Sequence, residues 1–148
     1  MNIRELRADD LELLLWLYTH LHERDDPLPA APEVQAVWAE ALANPRTQYF
    51  GGWDGGQLIS FCMLTIIPNL TRACRPFCVT ENVVTQSAYR DQGRGRALLR
   101  HALAHAWQAR CYKVMLMTGR KDENTLRFYE QSGFERHGKQ AFVARPPQ

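Results

Sequence analysis

The sequence predicts an α+β fold: a mixed, mostly antiparallel twisted sheet with helices on both faces. Two observations carry that expectation. The stretch "TQYFGGWDGGQLISFCMLTII" reads as two strands about a tight turn, while "CYKVMLMT" is a continuous apolar run of strand length. Between such runs lie segments whose apolar residues recur every three or four positions, as on helices with one buried side.

In order, "NIREL" alternates and opens the chain as a short strand. Asp9 followed by Glu12 has the spacing of a capping box at a helix start. Leu11, Leu14, Leu15, Tyr18 and Leu21 give that helix its apolar side. "RDDPLPAAP" interrupts it, because proline cannot continue a helix. "EVQAVWAEALAN" forms the second helix, stopped at Asn44-Pro45. The hairpin follows, with Asp54-Gly55 as its two-residue turn. Pro68 ends the second hairpin strand, "NLTRACR" is a surface loop, and "PFCVTENVVT" is a β-branched strand. A helix follows residues 86–93 and runs to about Arg110. "CYKVMLMT" is then a strand buried on both faces. "ENTLRFYEQSG" is a short helix with Gly133 as its stop, and "KQAFVAR" is a last strand. With no repeat, low-complexity tract or linker, residues 1–148 read as one domain.

At 148 residues the chain can bury a core without disulfides or metals. A net charge of +2 is too small to imply binding to nucleic acid or a membrane surface. No apolar run approaches the ~20 residues of a membrane span. "MNIRELRADD" is charged at once, unlike a secretory signal, so a cytoplasmic protein with reduced thiols is expected. Cys62 and Cys111 lie in apolar runs and read as buried thiols. Cys74 and Cys78 are four apart, with no second ligand pair at zinc spacing, so no metal is expected.

The informative stretch is "QSAYRDQGRGRALLRHAL". Arg90, Gly93 and Gly95 are spaced Arg-x-x-Gly-x-Gly between a strand and a helix. A helix start presents N–H groups without partners and partial positive charge, so it attracts anions. Glycines there let a phosphate approach the main chain. Leu98, Leu99, Ala102, Leu103, Ala106 and Trp107 anchor the helix to the sheet, while Arg96 and Arg100 fall on the other side. A glycine-rich turn before an ordinary surface helix, with solvated arginines, fits the same spacing. The dinucleotide fingerprint lacks its third glycine here, and the nucleotide P-loop its Lys-Ser/Thr.

The chain resembles the GNAT superfamily of N-acetyltransferases from about Arg4 to Val143. "ENVVTQSAYRDQGRGRALL" is similar to the family's acyl-CoA signature, with Arg90, Gly93 and Gly95 matching. "NTLRFYEQSGF" is similar to its tyrosine helix, with Phe128, Tyr129, Glu130, Gly133 and Phe134 matching. Ser87, Asp91, Arg94 and Asp122 depart from the family's usual proline, glycine, isoleucine and asparagine.

The resemblance implies the GNAT fold, acetyl-CoA as cosubstrate and direct attack by a primary amine of a small molecule. It implies that pantetheine lies along Val83, Val84 and Thr85 like an added strand. The pyrophosphate is then held at the N–H groups of residues 92–96. The cofactor set becomes those three residues with Arg90, Asp91, Gln92, Gly93, Arg94, Gly95, Arg96, Ala97, Asn124 and Phe128. An N–H near Val84 polarises the thioester carbonyl. Glu81, two residues before Val83 and therefore expected on the same side of the strand, takes the amine proton directly or through a water. Tyr129 protonates the departing thiolate, since a phenol of pKa ~10 can donate to a thiolate of pKa ~8.5.

The acceptor side draws on His20 and His22 at the end of the first helix, and on Arg72 and Arg75 for an anionic acceptor. His20 and His22 read more readily as exposed helix-end residues, and Arg72 and Arg75 equally as solvated loop arginines. His101 and His105 read as solvent-facing. Two alternatives stay open: acetylation of a protein lysine or N-terminus, and an acyl-CoA sensor without turnover. Homodimers are common in the family, so a homodimer is a further expectation from the resemblance.

Overall fold

The computed structural model describes residues 1–22 and 24–147. Five strands form one sheet in sequence order: β1 (Asn2–Glu5), β2 (Thr47–Asp54), β3 (Gln57–Ile67), β4 (Phe77–Thr85) and β5 (Val114–Leu116). The first four are antiparallel neighbours, and β5 runs parallel to β4. A mixed sheet of this kind puts its one parallel pair where a helix crosses over.

Helices α1 (Leu11–Tyr18) and α2 (Ala31–Ala43) cover one face. Leu14, Leu17 and Trp38 pack there on Trp53, Leu58, Phe61 and Val84. The crossover helix α4 (Arg94–Gln108) and α5 (Glu123–Gln131) cover the other, where Leu98, Leu99, Ala102 and Ala106 meet Phe50, Cys62, Leu64 and Cys78. Leu98 and Leu99 are fully buried, each contributing roughly 2 kcal/mol of transfer free energy. Trp107 is 51% exposed, so the buried stripe of α4 is narrower than its sequence periodicity suggests. His101 is exposed, as expected, and His105 is half-buried; both rings also meet Phe50 edge-on, at 5.0 and 5.3 Å.

Five local expectations shift. The carboxylate at the entry to α1 is Asp10, not Asp9: it accepts from the Arg7 N–H at 2.7 Å and from both Arg4 terminal nitrogens at 2.7 and 3.0 Å. The hairpin turn is Gly55-Gly56, because Asp54 still pairs with Gln57 and both glycines have positive φ. The "NLTRACR" loop contains a short turn, α3 (Thr71–Cys74), in which Arg72, Ala73 and Cys74 all have φ near +57°. β5 is three half-buried residues, not an eight-residue core strand. Finally, "KQAFVAR" pairs with no strand among the described residues: residues 139–145 have no regular structure, and Phe142 is 91% exposed. Alternation favours a strand only once a partner pairs with it, and neither edge strand of the sheet, β1 or β5, takes this segment up.

Candidate active site

β4 and β5 pair at Cys78↔Val114, Val79↔Met115 and Thr80↔Leu116, and then part. The parting opens a cleft of about 1070 Å³, with residues 80–85 on one wall and residues 116–131 of the β5–α5 segment on the other. Beyond Thr80 the β5-facing edge of β4 has no strand partner, so an extended ligand can add there by main-chain hydrogen bonds.

Within the cleft the strand is bulged. Met63 of β3 faces Glu81 and Phe61 faces Val84, so Asn82 and Val83 together oppose Cys62. Asn82 takes up the extra residue with φ +53°, a conformation asparagine tolerates better than most residues. The bulge reverses the side-chain alternation. Val83 packs with the α4 and α5 core, whereas Glu81 sits opposite Met63, which packs on the α1 and α2 side. The expectation that Glu81 and Val83 share a face is therefore wrong, because alternation holds only in an unbulged strand. Glu81 nonetheless lines the cleft with Tyr129. Among the described residues it has no ion-pair partner, so an arginine-paired glutamate is not what the strand carries.

Tyr129 is held from two directions. Its ring meets Phe128 and Phe134 at 5.1 and 6.3 Å. Arg136 clamps the helix that carries it, reaching Glu123 twice at 3.0 Å and Glu130 at 2.8 Å. Burial pushes the Tyr129 hydroxyl above its ordinary range; Arg120 pulls it down and the Glu81 charge pushes it up. The phenol therefore stays protonated at neutral pH.

At the far end of the cleft, Gly93 caps α4 in the left-handed region at φ +74°, with no side chain bonding the helix start. The first intrahelical bond is Ala97 N–H to the Gly93 carbonyl at 3.0 Å. The N–H groups of residues 94–96 thus lack helix partners and can hold an anion. Gly95 is closely packed: a Cβ there would stand 2.8 Å from Thr85 Oγ1 and 3.1 Å from the Phe128 ring. Asp91 also has positive φ, at +60°.

The expected site residues divide accordingly. Val83, Val84, Thr85, Arg90, Asp91, Gly93, Arg94, Gly95, Arg96, Asn124 and Phe128 line the cleft, as do His20 and His22. Gln92 turns back to the Ala88 carbonyl at 2.9 Å and, like Ala97, lies outside the lining. The Arg90 side chain donates to the carbonyls of Thr85 and His20 at 3.1 and 3.0 Å. It ties the end of α1 to the end of β4, so what it offers an anion is its place in the loop. Arg94 leans toward Asp54 at 3.5 Å. Asp122 is occupied as the N-cap of α5, accepting from the Thr125 N–H at 3.0 Å.

Arg72 and Arg75 do not reach the cleft. Both lie 5.9 Å from the Tyr112 ring, beside the N-terminal ends of β4 and β5, so the anionic-acceptor role expected of them has no support here. Sequence reasoning missed three features. The Asn82 bulge had one signal, an asparagine inside a β-branched run. Arg120, in the β5–α5 wall, had none. Nor did Thr80, a 1% exposed residue whose hydroxyl has no hydrogen-bond partner among the described residues at the point where the strands part.

The family model of the GNAT acetyltransferases matches residues 9–134. Glucosamine 6-phosphate N-acetyltransferase of Trypanosoma brucei brucei is 32% identical over 146 residues, which span 95% of this chain and 92% of that protein. A solved structure assigned to the acetyltransferases, from Agrobacterium tumefaciens, superposes with a TM-score of 0.92 at 42% identity, over 99% of this chain and 100% of that one. A solved Trypanosoma brucei acetyltransferase superposes with a TM-score of 0.77 at 30% identity, over 97% and 99% of the two chains. With the parted strands, the bulge and the open helix start already in place, these matches make the chain a member of the GNAT acetyltransferase family.

Proposed function

We propose that residues 1–148 act as one N-acetyltransferase domain that moves the acetyl group of acetyl-CoA to the primary amine of a small, anionic acceptor. A phosphorylated amino sugar of the kind named for the trypanosomal relative is the leading candidate. The observation that carries this reading is the single cleft in which Glu81, Tyr129 and the uncapped start of α4 meet.

The diphosphate of the cosubstrate lies on the N–H groups of residues 94–96, and its pantetheine arm follows the unpaired edge of residues 83–85. Binding in this way turns a bimolecular encounter into an oriented one. The bulge at Asn82 breaks the ladder beside the thioester, which frees main-chain N–H groups for its carbonyl oxygen. Glu81 accepts the ammonium proton, directly or through a water. The free amine attacks the acetyl carbon, the C–S bond breaks, and the Tyr129 hydroxyl gives its proton to the sulfur.

The acceptor named for the trypanosomal relative favours an anionic acceptor over a lysine-rich peptide. Of the arginines lining the cleft, Arg94, Arg120 and Arg127 pair with Asp54, Asp122 and Glu123, while Arg90 and Arg96 have no ion-pair partner among the described residues. Arg120 is the lining arginine whose charge pulls the Tyr129 hydroxyl down. The test is release of free thiol from acetyl-CoA with a panel of amines: glucosamine 6-phosphate, glucosamine, an aminoglycoside and a lysine peptide. Turnover fastest with the phosphorylated sugar is expected. Thiol release with the peptide alone overturns the small-acceptor reading, and binding of CoA without release from any amine overturns the enzyme reading.

A further inference from the structure

Cys78 on β4 is fully buried and Cys111, just ahead of β5, is 7% exposed. Their sulfurs lie 3.2 Å apart. The main chain on either side is fixed: Cys78 N–H donates to the Lys113 carbonyl at 3.0 Å, Tyr112 N–H to Pro76 at 2.9 Å, and Cys111 N–H to Ala106 at 3.0 Å. The sheet and the end of α4 therefore hold the two residues side by side. Neither lines the cleft, so acetyl transfer gives no reason for the pairing. Among the described residues the other two cysteines make no sulfur–sulfur contact: Cys62 is buried in the same core cluster without touching the pair's sulfurs, and Cys74 is exposed.

We propose that Cys78 and Cys111 form a modification site, an oxidisable pair that a small hydroperoxide converts to an intrachain disulfide joining β4 to the α4–β5 connection. Cys111 is the entry point because it is the less buried residue of the two. Its thiolate attacks one peroxide oxygen, the O–O bond breaks, and Cys111 becomes a sulfenic acid as the first water leaves. The Cys78 sulfur then displaces that hydroxyl. The S–S bond forms, the S–O bond breaks, and a second water departs. Two thiols have given up two electrons and two protons, and one hydrogen peroxide has become two waters. Burial pushes the Cys78 thiol up to about 12, so Cys78 is not the thiolate that meets the peroxide first.

The bridge would close a loop holding the cleft half of β4, the glycine turn and α4. It lies two residues below Thr80↔Leu116, the last pair before the strands part. By restricting the unfolded chain, a loop of this length should raise the melting temperature by about 10 °C.

The experiment uses full-length C74S, which removes the exposed thiol and touches neither the cleft nor the pair. After treatment with hydrogen peroxide and denaturation, the thiol count should fall from three to one. The protein should become two hydrogens lighter, and peptide mapping should join the fragments holding Cys78 and Cys111. Dithiothreitol should restore both thiols and lower the melting temperature again. In C74S/C111S the lighter species should vanish. If that variant does not fold, the map on C74S decides alone. The proposal is overturned if the thiol count stays at three, if the mapped link involves Cys62, or if Cys111 only gains oxygen without losing hydrogen.

Discussion

Two helices begin beside the same cleft, and they begin in opposite ways. α5 is closed by its own sequence: the Asp122 carboxylate accepts from the N–H and the hydroxyl of Thr125, and Arg120 pairs with it at 3.1 Å. α4 is left open: its cap is a left-handed glycine with no side chain to offer, and its first residues are Arg94, Gly95 and Arg96. A carboxylate neutralises the end of a helix, whereas a bare one attracts an anion. Under the proposed function the contrast divides the work of the cleft, with α4 to hold the cosubstrate by its first turn and α5 to present a reactive side chain from its body. A helix that must keep Tyr129 in one place gains from a closed, clamped start. A helix that must receive phosphate has to leave its start free.

The largest test of that division is Y129F. If α5 supplies chemistry and α4 supplies binding, kcat should fall by about 100- to 1000-fold while KM for acetyl-CoA changes less than twofold. The same split should appear in pH. Burial holds the Tyr129 proton above the ordinary phenol value, so the alkaline limb of kcat should lie above pH ~10 and disappear in Y129F. Equal losses in kcat and in CoA binding would show that α5 also grips the cosubstrate, and the contrast would blur. E81Q belongs to the same experiment: about a 100-fold drop in kcat, again with little change in KM for acetyl-CoA.

The next test acts on the open helix. In G95V the new side chain meets Thr85 Oγ1 and the Phe128 ring, so α4 must move away from β4 and α5. KM for acetyl-CoA should rise at least about tenfold, with about 1–3 kcal/mol of stability lost to overpacking. Calorimetry with CoA and a urea melt measure the two separately. Wild-type CoA affinity in G95V would mean that the first turn of α4 does not hold the ligand.

This division also explains what the sequence could reveal. The glycine turn, the tyrosine helix and the strand before them are local patterns, in which backbone freedom and residue type suffice. What stayed hidden depends on partners distant in sequence. The side on which Glu81 lies follows from how Asn82 and Val83 share Cys62 across the ladder. Arg90 looks like a phosphate ligand until the His20 carbonyl, seventy positions away, accepts its terminal nitrogen. Arg72 and Arg75 look free until Tyr112 lies beside them. "KQAFVAR" has the alternation of a strand but joins neither edge strand of the sheet. In each case the residue type was legible, and what it would meet was not.

The smallest effect closes the comparison from the capped side. D122A removes the carboxylate that accepts from Thr125 and leaves α4 untouched. The melting temperature should drop by about 3 °C at neutral pH, with CoA affinity unchanged. D122N should recover most of the loss, because asparagine caps nearly as well. The Thr125 N–H, the Thr125 hydroxyl and then Arg120 hold the Asp122 carboxyl below its ordinary value. A carboxyl lowered by folding stabilises the native state above its unfolded value near pH ~4 and loses that contribution as the pH falls through the lowered one. The gap between wild type and D122A should therefore narrow on acidification through that window, while the gap between D122N and D122A, which involves no titrating group at residue 122, should not. A D122A protein that instead gained affinity for CoA or free phosphate would show that the cap is all that keeps α5 from binding an anion, and that the two helix starts differ by one carboxylate.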